Sequence, residues 1–144
     1  MFNNNNEEGM ALFVWKENYS VKVKSIDDQH KKLIDMINEF YDNITHRSNK
    51  ENVTTLLTNL KKYVEFHFSL EERYMVLADY QGYNQHKKEH EKFTAKIADL
   101  EERITTGKLV LSLEVTTFLK DWLINHILVS DQKYSEVFAK KKFL

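Results

Sequence analysis

The chain has 144 residues, with 21 basic and 22 acidic side chains and a formal net charge of −1 at pH 7. This balance gives no electrostatic basis for binding nucleic acid or an anionic membrane, and the length suits one ordinary domain. Because the sequence contains no cysteine, disulfides, thiolate ligands and iron–sulfur clusters are excluded. The first residues lack the basic and apolar segments of a signal peptide, and no apolar run has the length of a membrane span. We therefore expect a cytoplasmic protein without membrane insertion.

Turn-forming residues are scarce. Proline is absent, and the three glycines are Gly9, Gly82 and Gly107. β-rich chains need more turn residues than this, so the composition predicts an all-α protein. The asparagine-rich residues 1–9 predict a disordered tail, and residues 10–144 are expected to form one domain. Within it, the irregular apolar stretch 10–23 predicts an N-terminal arm packed along the helices, with Trp15 as its anchor.

Apolar residues that recur at three- and four-residue steps predict four helices. Ser25 is expected to cap the first helix, and Gly107 to follow the third as its C′ residue. The connections are short, so consecutive helices should pack antiparallel as an up-down-up-down four-helix bundle. The predicted helices span about residues 25–47, 51–77, 83–106 and 112–139.

Polar residues interrupt the apolar stripes of the second and third helices in a chelating pattern. His67 and Glu71 are four residues apart, so their side chains point the same way on a helix. His86 and His90 repeat this spacing after the next turn. A carboxylate on an apolar stripe is costly unless it is paired or bound to a metal, so Glu71 indicates a metal site. The stripe places only Glu71 inward, so its neighbour Glu72 is expected to matter far less.

The first and fourth helices contribute polar residues near the same end of the predicted bundle. A lone buried histidine such as His30 is more often a hydrogen-bonded core residue, and it gains weight only because the other polar residues lie level with it. His126 and Asp131 are five residues apart, which leaves their side chains about 140° apart on a regular α-helix. A locally widened turn is therefore predicted between them. His46 lies ~24 Å along the first helix from His30 and is given no ligand role.

The set of candidate ligands indicates the kind of metal. Five imidazoles and two carboxylates are typical of a borderline transition metal, not of calcium or magnesium. One zinc ion would need only four ligands. Together with a bridging oxygen, the seven side chains would fill about eleven of the twelve positions of two octahedral ions. The position left over predicts a site that binds a small molecule.

Four motifs surround these residues: DDQHKKL around His30, HFSLEE at 67–72, HKKEH at 86–90 and FLKDWLINHILVSDQKY at 118–134. They resemble the hemerythrin family, and in particular its single-domain bacterial members, the bacteriohemerythrins. The resemblance covers about residues 12–138 and fills all seven ligand positions without substitution. A ferritin-like site would need two Glu-x-x-His pairs, and no histidine here has a glutamate three residues before it.

The resemblance implies reversible O₂ binding for oxygen storage, transport or delivery. It assigns residues 10–144 to a hemerythrin-like di-iron four-helix bundle domain. The implied cofactor is a pair of non-haem iron ions (Fe²⁺/Fe³⁺), bridged by an oxo or hydroxo group and by Glu71 and Asp131. Oxygen would bind at the iron held by two histidines. The implied iron ligands are His86, His90 and His126 for one ion, and His30 and His67 for the other.

The family's apolar oxygen pocket is matched by Trp122, Leu123 and Ile127. It offers no acid to promote O–O cleavage, which favours carrying oxygen over catalysis. Tyr134, three residues past Asp131, is expected either close to the cluster or simply in the core. The alternatives are oxygen sensing through a partner protein, a di-iron peroxidase or nitric oxide reductase, and a metal-stabilised structural bundle. The sequence does not identify a delivery or signalling partner.

Overall fold

The computed structural model describes residues 12–46, 50–108 and 112–143, and these residues contain helices but no strand. The prediction of an all-α fold is confirmed. The tail predicted at residues 1–9 lies outside the described residues. The first three helices of the bundle are α1 (Lys24–His46), α2 (Lys50–Leu77) and α3 (Tyr83–Thr105).

The fourth helix of the bundle is composite. Its segments in order are α4 (Ser112–Trp122), a π-helix (Leu123–Ser130), a 3₁₀ turn (Asp131–Tyr134) and α5 (Ser135–Lys140). The backbone N–H of Asp131 donates to the carbonyl oxygen of His126, a bond that spans five residues instead of four. The extra residue in the turn lets both side chains face inward, where each is at most 2% exposed. The widened turn predicted from their spacing is confirmed.

The start of α1 differs from the prediction. The helix begins one residue before Ser25, whose hydroxyl lies 3.5 Å from the hydroxyl of Tyr74 instead of capping a backbone N–H. Assigning Ser25 as the cap was therefore wrong. Asp27 orders this end instead, because its carboxylate accepts hydrogen bonds from the backbone N–H of Val21 at 2.9 Å and the hydroxyl of Ser20 at 2.5 Å. A side chain in the first turn thus ties the helix to the arm before it.

The end of α3 agrees with the prediction. Gly107 has a φ of +78°, in the left-handed region that favours glycine. Its N–H donates to the carbonyl oxygen of Ile104 at 3.2 Å, and the N–H of Lys108 donates to that of Arg103 at 2.8 Å. These are the two hydrogen bonds of a Schellman motif, so Gly107 occupies the C′ position.

The N-terminal arm packs along the bundle as predicted. The side-chain amide of Asn38 joins α1 to the arm through two hydrogen bonds with the backbone of Phe13, at 3.0 and 2.7 Å. Trp15 is partly buried and packs against the apolar core. Val21 and Val23, at the end of the arm, are fully buried.

Two apolar clusters lie along the bundle. The larger core includes Leu33, Leu60, Phe68, Phe93, Leu123 and Ile127. The smaller core comprises Val21, Val23, Ile26, Met75, Ala78, Tyr134 and Phe138. On each helix, the predicted ligands fall between residues of the larger core and residues packed in or against the smaller one. They therefore form a polar layer between two apolar regions: His30, His67, Glu71, His86, His90, His126 and Asp131.

None of the helices, over the residues described, is both long enough and apolar enough to cross a membrane.

Candidate metal centre

The structure brings all seven predicted ligands together in the polar layer. Each of these side chains is at most 3% exposed. They come from four helices, so the site exists only when the bundle is assembled. His46 ends α1, at the opposite end of that helix from His30.

The carboxylate of Glu71 lies between two groups of histidines. Its Oε2 is 3.2 Å from Nε2 of His30 and 3.2 Å from Nε2 of His67. Its Oε1 is 3.1 Å from Nε2 of His90 and 3.6 Å from Nε2 of His86. Each oxygen therefore faces a different group.

The carboxylate of Asp131 is divided in the same way. Its Oδ2 lies 3.0 Å from Nε2 of His30, whereas its Oδ1 lies 2.9 Å from Nε2 of His86 and 3.2 Å from Nε2 of His126. Two half-sites result, each including both carboxylates, and within each half the candidate donor atoms lie within 4.8 Å of one another. The three-histidine half contains His86, His90 and His126, and the two-histidine half contains His30 and His67.

The electrostatics of the polar layer favour positive charge between the carboxylates. Burial opposes the charged form of His30, but hydrogen bonds with Asp131 and Glu71 outweigh it and raise its pKa to about 9. The same contributions raise the pKa of His86 to about 10. Burial opposes ionisation of Glu71 and Asp131 too, yet the facing histidines hold the pKa of both carboxyls below their ordinary values. Both carboxylates are therefore ionised at neutral pH, and a metal cation would compete with protons for the imidazoles.

Several donor atoms in the layer are suited to a metal and have no hydrogen-bond partner among the described residues. They are Nε2 of His67, Nε2 of His86, Oε1 of Glu71 and both carboxylate oxygens of Asp131. A buried polar atom without a partner costs roughly 1–3 kcal/mol, and metal coordination would remove that cost. A donor set of imidazole nitrogens and carboxylate oxygens fits a borderline transition metal.

Three of the histidines are held from behind by side chains that the sequence analysis did not identify. Each imidazole donates its Nδ1–H outward, which leaves Nε2 free to bind a metal. The acceptors are Gln29 for His67 at 2.7 Å, Glu72 for His90 at 2.8 Å, and Glu89 for His126 at 2.9 Å. Glu89 also accepts a hydrogen bond from the hydroxyl of Ser130 at 2.7 Å.

These acceptors share a position relative to the predicted ligands. Gln29 precedes His30, Glu72 follows Glu71, and Glu89 precedes His90, yet each serves a histidine on the next helix. Neighbouring residues point about 100° apart on a helix, so a residue beside an inward ligand faces the adjacent helix. The order alternates between before and after because consecutive helices run antiparallel.

Glu72 corrects the expectation that only Glu71 of this pair faces the site. Its side chain is 24% exposed, but its carboxylate holds the Nδ1–H of His90. The apolar stripe could not reveal this role, because the stripe identifies only residues that point at the bundle axis. Glu89 is a second such carboxylate, and its hydrogen bond with His126 lowers its pKa to about 2.

Tyr134 meets both of its alternatives. It is fully buried in the smaller core, where its ring stacks on Phe138 with centroids 4.0 Å apart. Its hydroxyl also donates to Oε2 of Glu71 at 2.5 Å. Burial, and then the charges of Asp131 and Glu71, raise the pKa of Tyr134 well above its ordinary value, so the phenol keeps its proton.

The three predicted pocket residues lie in or against the larger core. Leu123 and Ile127 are 1% and 0% exposed. Trp122 is half-buried and stacks on His126, with centroids 5.0 Å apart and planes 12° apart. It also lines an open groove of about 420 Å³ beside Glu89. Among the described contacts, Trp122 therefore meets the three-histidine half.

Comparison with known proteins identifies the same pattern over most of the chain. A family model described as the hemerythrin HHE cation binding domain matches residues 21–137. Bacteriohemerythrin of Methylococcus capsulatus is 35% identical over 126 residues, which cover 87% of this chain and 95% of that protein. A hemerythrin of the animal Sipunculus nudus is 31% identical, covering 87% of this chain and 92% of that protein. The crystal structure of a wild-type hemerythrin aligns with a TM-score of 0.83 at 33% identity, covering 90% of this chain and 99% of that one.

Proposed function

Because the chain belongs to the hemerythrin family, we propose that its polar layer holds two iron ions and binds O₂ reversibly. The observation that carries this proposal is the division of both buried carboxylates: Glu71 and Asp131 each direct one oxygen to the three-histidine half and the other to the two-histidine half. Such carboxylates would bridge two ions, with an oxo or hydroxo group completing the link.

Iron would supply the electrons for reversible oxygen binding, and the side chains would control access and polarity. His86, His90 and His126 would hold one ion, and His30 and His67 the other. The two-histidine half has one imidazole fewer around the same pair of carboxylates. This difference supports the two-histidine half as the place where a small molecule binds.

The surroundings of the site favour carrying oxygen over turning it over. Leu123 and Ile127 are almost completely buried, as expected for side chains that keep water from the site. Tyr134 is engaged with Glu71, and its raised pKa makes it a weak acid. Water exclusion and a scarcity of mobile protons both oppose release of reduced oxygen.

The test is anaerobic reconstitution with ferrous iron, followed by metal analysis and titration with oxygen. We expect about two irons per chain and an absorption change that reverses when oxygen is removed. One zinc per chain, or irreversible oxidation at the first exposure, would contradict the proposal. Steady turnover of peroxide or nitric oxide would instead assign the site to an oxidoreductase.

A further inference from the structure

The two halves of the polar layer differ in the groups that stand behind their histidines. In the three-histidine half, two imidazoles donate to carboxylates: His90 to Glu72 at 2.8 Å and His126 to Glu89 at 2.9 Å. In the two-histidine half, His67 donates to the neutral amide oxygen of Gln29 at 2.7 Å. The carboxylates therefore support only one half.

His30 lacks such support because the fourth position of the pattern is used elsewhere. Gln132 follows Asp131, as Glu72 follows Glu71, and would by analogy face His30 on the next helix around the bundle. Instead its side-chain amide donates to the carbonyl oxygen of Tyr19 in the arm, at 2.9 Å. The buried Nδ1 of His30 has no hydrogen-bond partner among the described residues.

The rings of the supported histidines are also fixed by aromatic neighbours. Phe68 stacks on His90 with centroids 3.7 Å apart and planes 6° apart, and Trp122 stacks on His126. Each imidazole is thus held by a carboxylate at Nδ1 and an aromatic ring on one face. Its Nε2 is aimed at the centre by contacts that need no metal.

A carboxylate behind a histidine increases the electron density at the ligating nitrogen and adds negative charge near the ion. We propose that the chain takes up divalent transition-metal ions in two ordered steps, the three-histidine half before the two-histidine half. Glu72 and Glu89 act as positioning residues that set this order. The inference rests on the proposed two-ion site, and it adds which half binds more tightly and why.

The experiment is titration of the metal-free full chain with Co²⁺, followed by calorimetry and by the visible absorption of the bound ion. We expect two resolved steps of about one ion each. Glu72→Gln and Glu89→Gln should each weaken the first step by roughly 10–100-fold and leave the second step unchanged. Gln29→Glu should act in the opposite direction and tighten the second step alone, which a purely structural role would not produce.

The matched control is Glu91→Gln, which removes an equal charge from an exposed position next to His90. It should leave both steps unchanged. Circular dichroism checks that each variant is folded, and the hyperfine-shifted N–H signals of the Co²⁺-bound imidazoles report the hydrogen bond directly. Glu89→Gln should move one such signal, and Glu91→Gln none.

A single unresolved step in the parent protein would overturn the inference. So would a Glu89→Gln variant that behaves like Glu91→Gln, or one that weakens the second step instead of the first. Because Co²⁺ binding involves no oxygen, ordered loading without reversible oxygen binding by the iron form would contradict only the proposed function. Reversible oxygen binding with one loading step would contradict only this inference.

Discussion

The polar layer and the larger core lie side by side on the same helices, and both are buried, but they are stabilised in different ways. Fully burying one Leu, Ile or Phe side chain contributes about 1.5–3 kcal/mol without any specific partner. Burying an imidazole or a carboxylate costs free energy unless a partner compensates it. The larger core should therefore fold the bundle without metal, whereas the polar layer should reach its full stability only when metal is bound. The comparison can be tested by changing one region at a time.

The largest effect is expected when a shared carboxylate of the polar layer is removed. Glu71→Ala takes one ligand from both halves and leaves the facing histidines without a charge partner. We expect it to lose most of its bound iron and all the thermal stabilisation that metal provides. Metal analysis and thermal unfolding with and without iron measure this. The control is Glu65→Ala, an exposed glutamate on the same helix, and equal iron content in the two variants would contradict the assignment of Glu71.

A truncation in the larger core should have the converse result. Leu60 is fully buried, so Leu60→Ala is expected to lower the free energy of unfolding by about 2–5 kcal/mol. Iron content should stay near that of the parent, because Leu60 lies outside the polar layer. Chemical denaturation and metal analysis test both statements. The exposed substitution Thr55→Ala should change stability by less than about 0.5 kcal/mol. Loss of iron from Leu60→Ala would show that the two regions are not separable.

Tyr134 joins the polar layer to the smaller core, and its hydroxyl tests that connection. Tyr134→Phe removes a hydrogen bond to an ionised carboxylate, so the metal-free protein should lose about 1.5–3 kcal/mol. Both irons should still bind, since Glu71 is retained. Tyr80→Phe is the control, because the Tyr80 ring packs edge-on against Tyr134 while the bond to Glu71 is untouched. Equal stability losses in the two variants would mean that this bond contributes little.

The smallest free-energy effect is expected where the larger core meets the oxygen pocket. Leu123→Ala should assemble two irons but autoxidise about tenfold faster, a loss of ~1.4 kcal/mol of barrier, because water gains access to the bound ligand. Leu119→Ala, four residues earlier in the same core, should cost similar stability without changing autoxidation. Decay of the oxygenated form is followed in both variants and the parent. If Leu123→Ala and Leu119→Ala decay alike, Leu123 is ordinary core packing.

Much of the fold and the candidate site could be predicted because local spacing is informative. Stripes of apolar residues identified the four helices, and their antiparallel order placed the seven polar residues at one level. The five-residue spacing of His126 and Asp131 predicted the π-helix, since no regular α-helix turns both side chains inward. Ser25 was misassigned because its residue type favours a capping position, whereas Asp27 forms the contacts that order the start of the helix.

The sequence alone determined which residues point at the axis of the bundle, because that depends only on helical period and burial. Only the tertiary structure decided what stands behind them. Gln29, Glu72 and Glu89 lie beside predicted ligands in sequence, but each contacts a histidine on another helix. Whether such a residue meets an imidazole, the arm or solvent depends on the rotation and register of two packed helices. Those quantities are set by side-chain packing across the interface, so no spacing within one helix contains them.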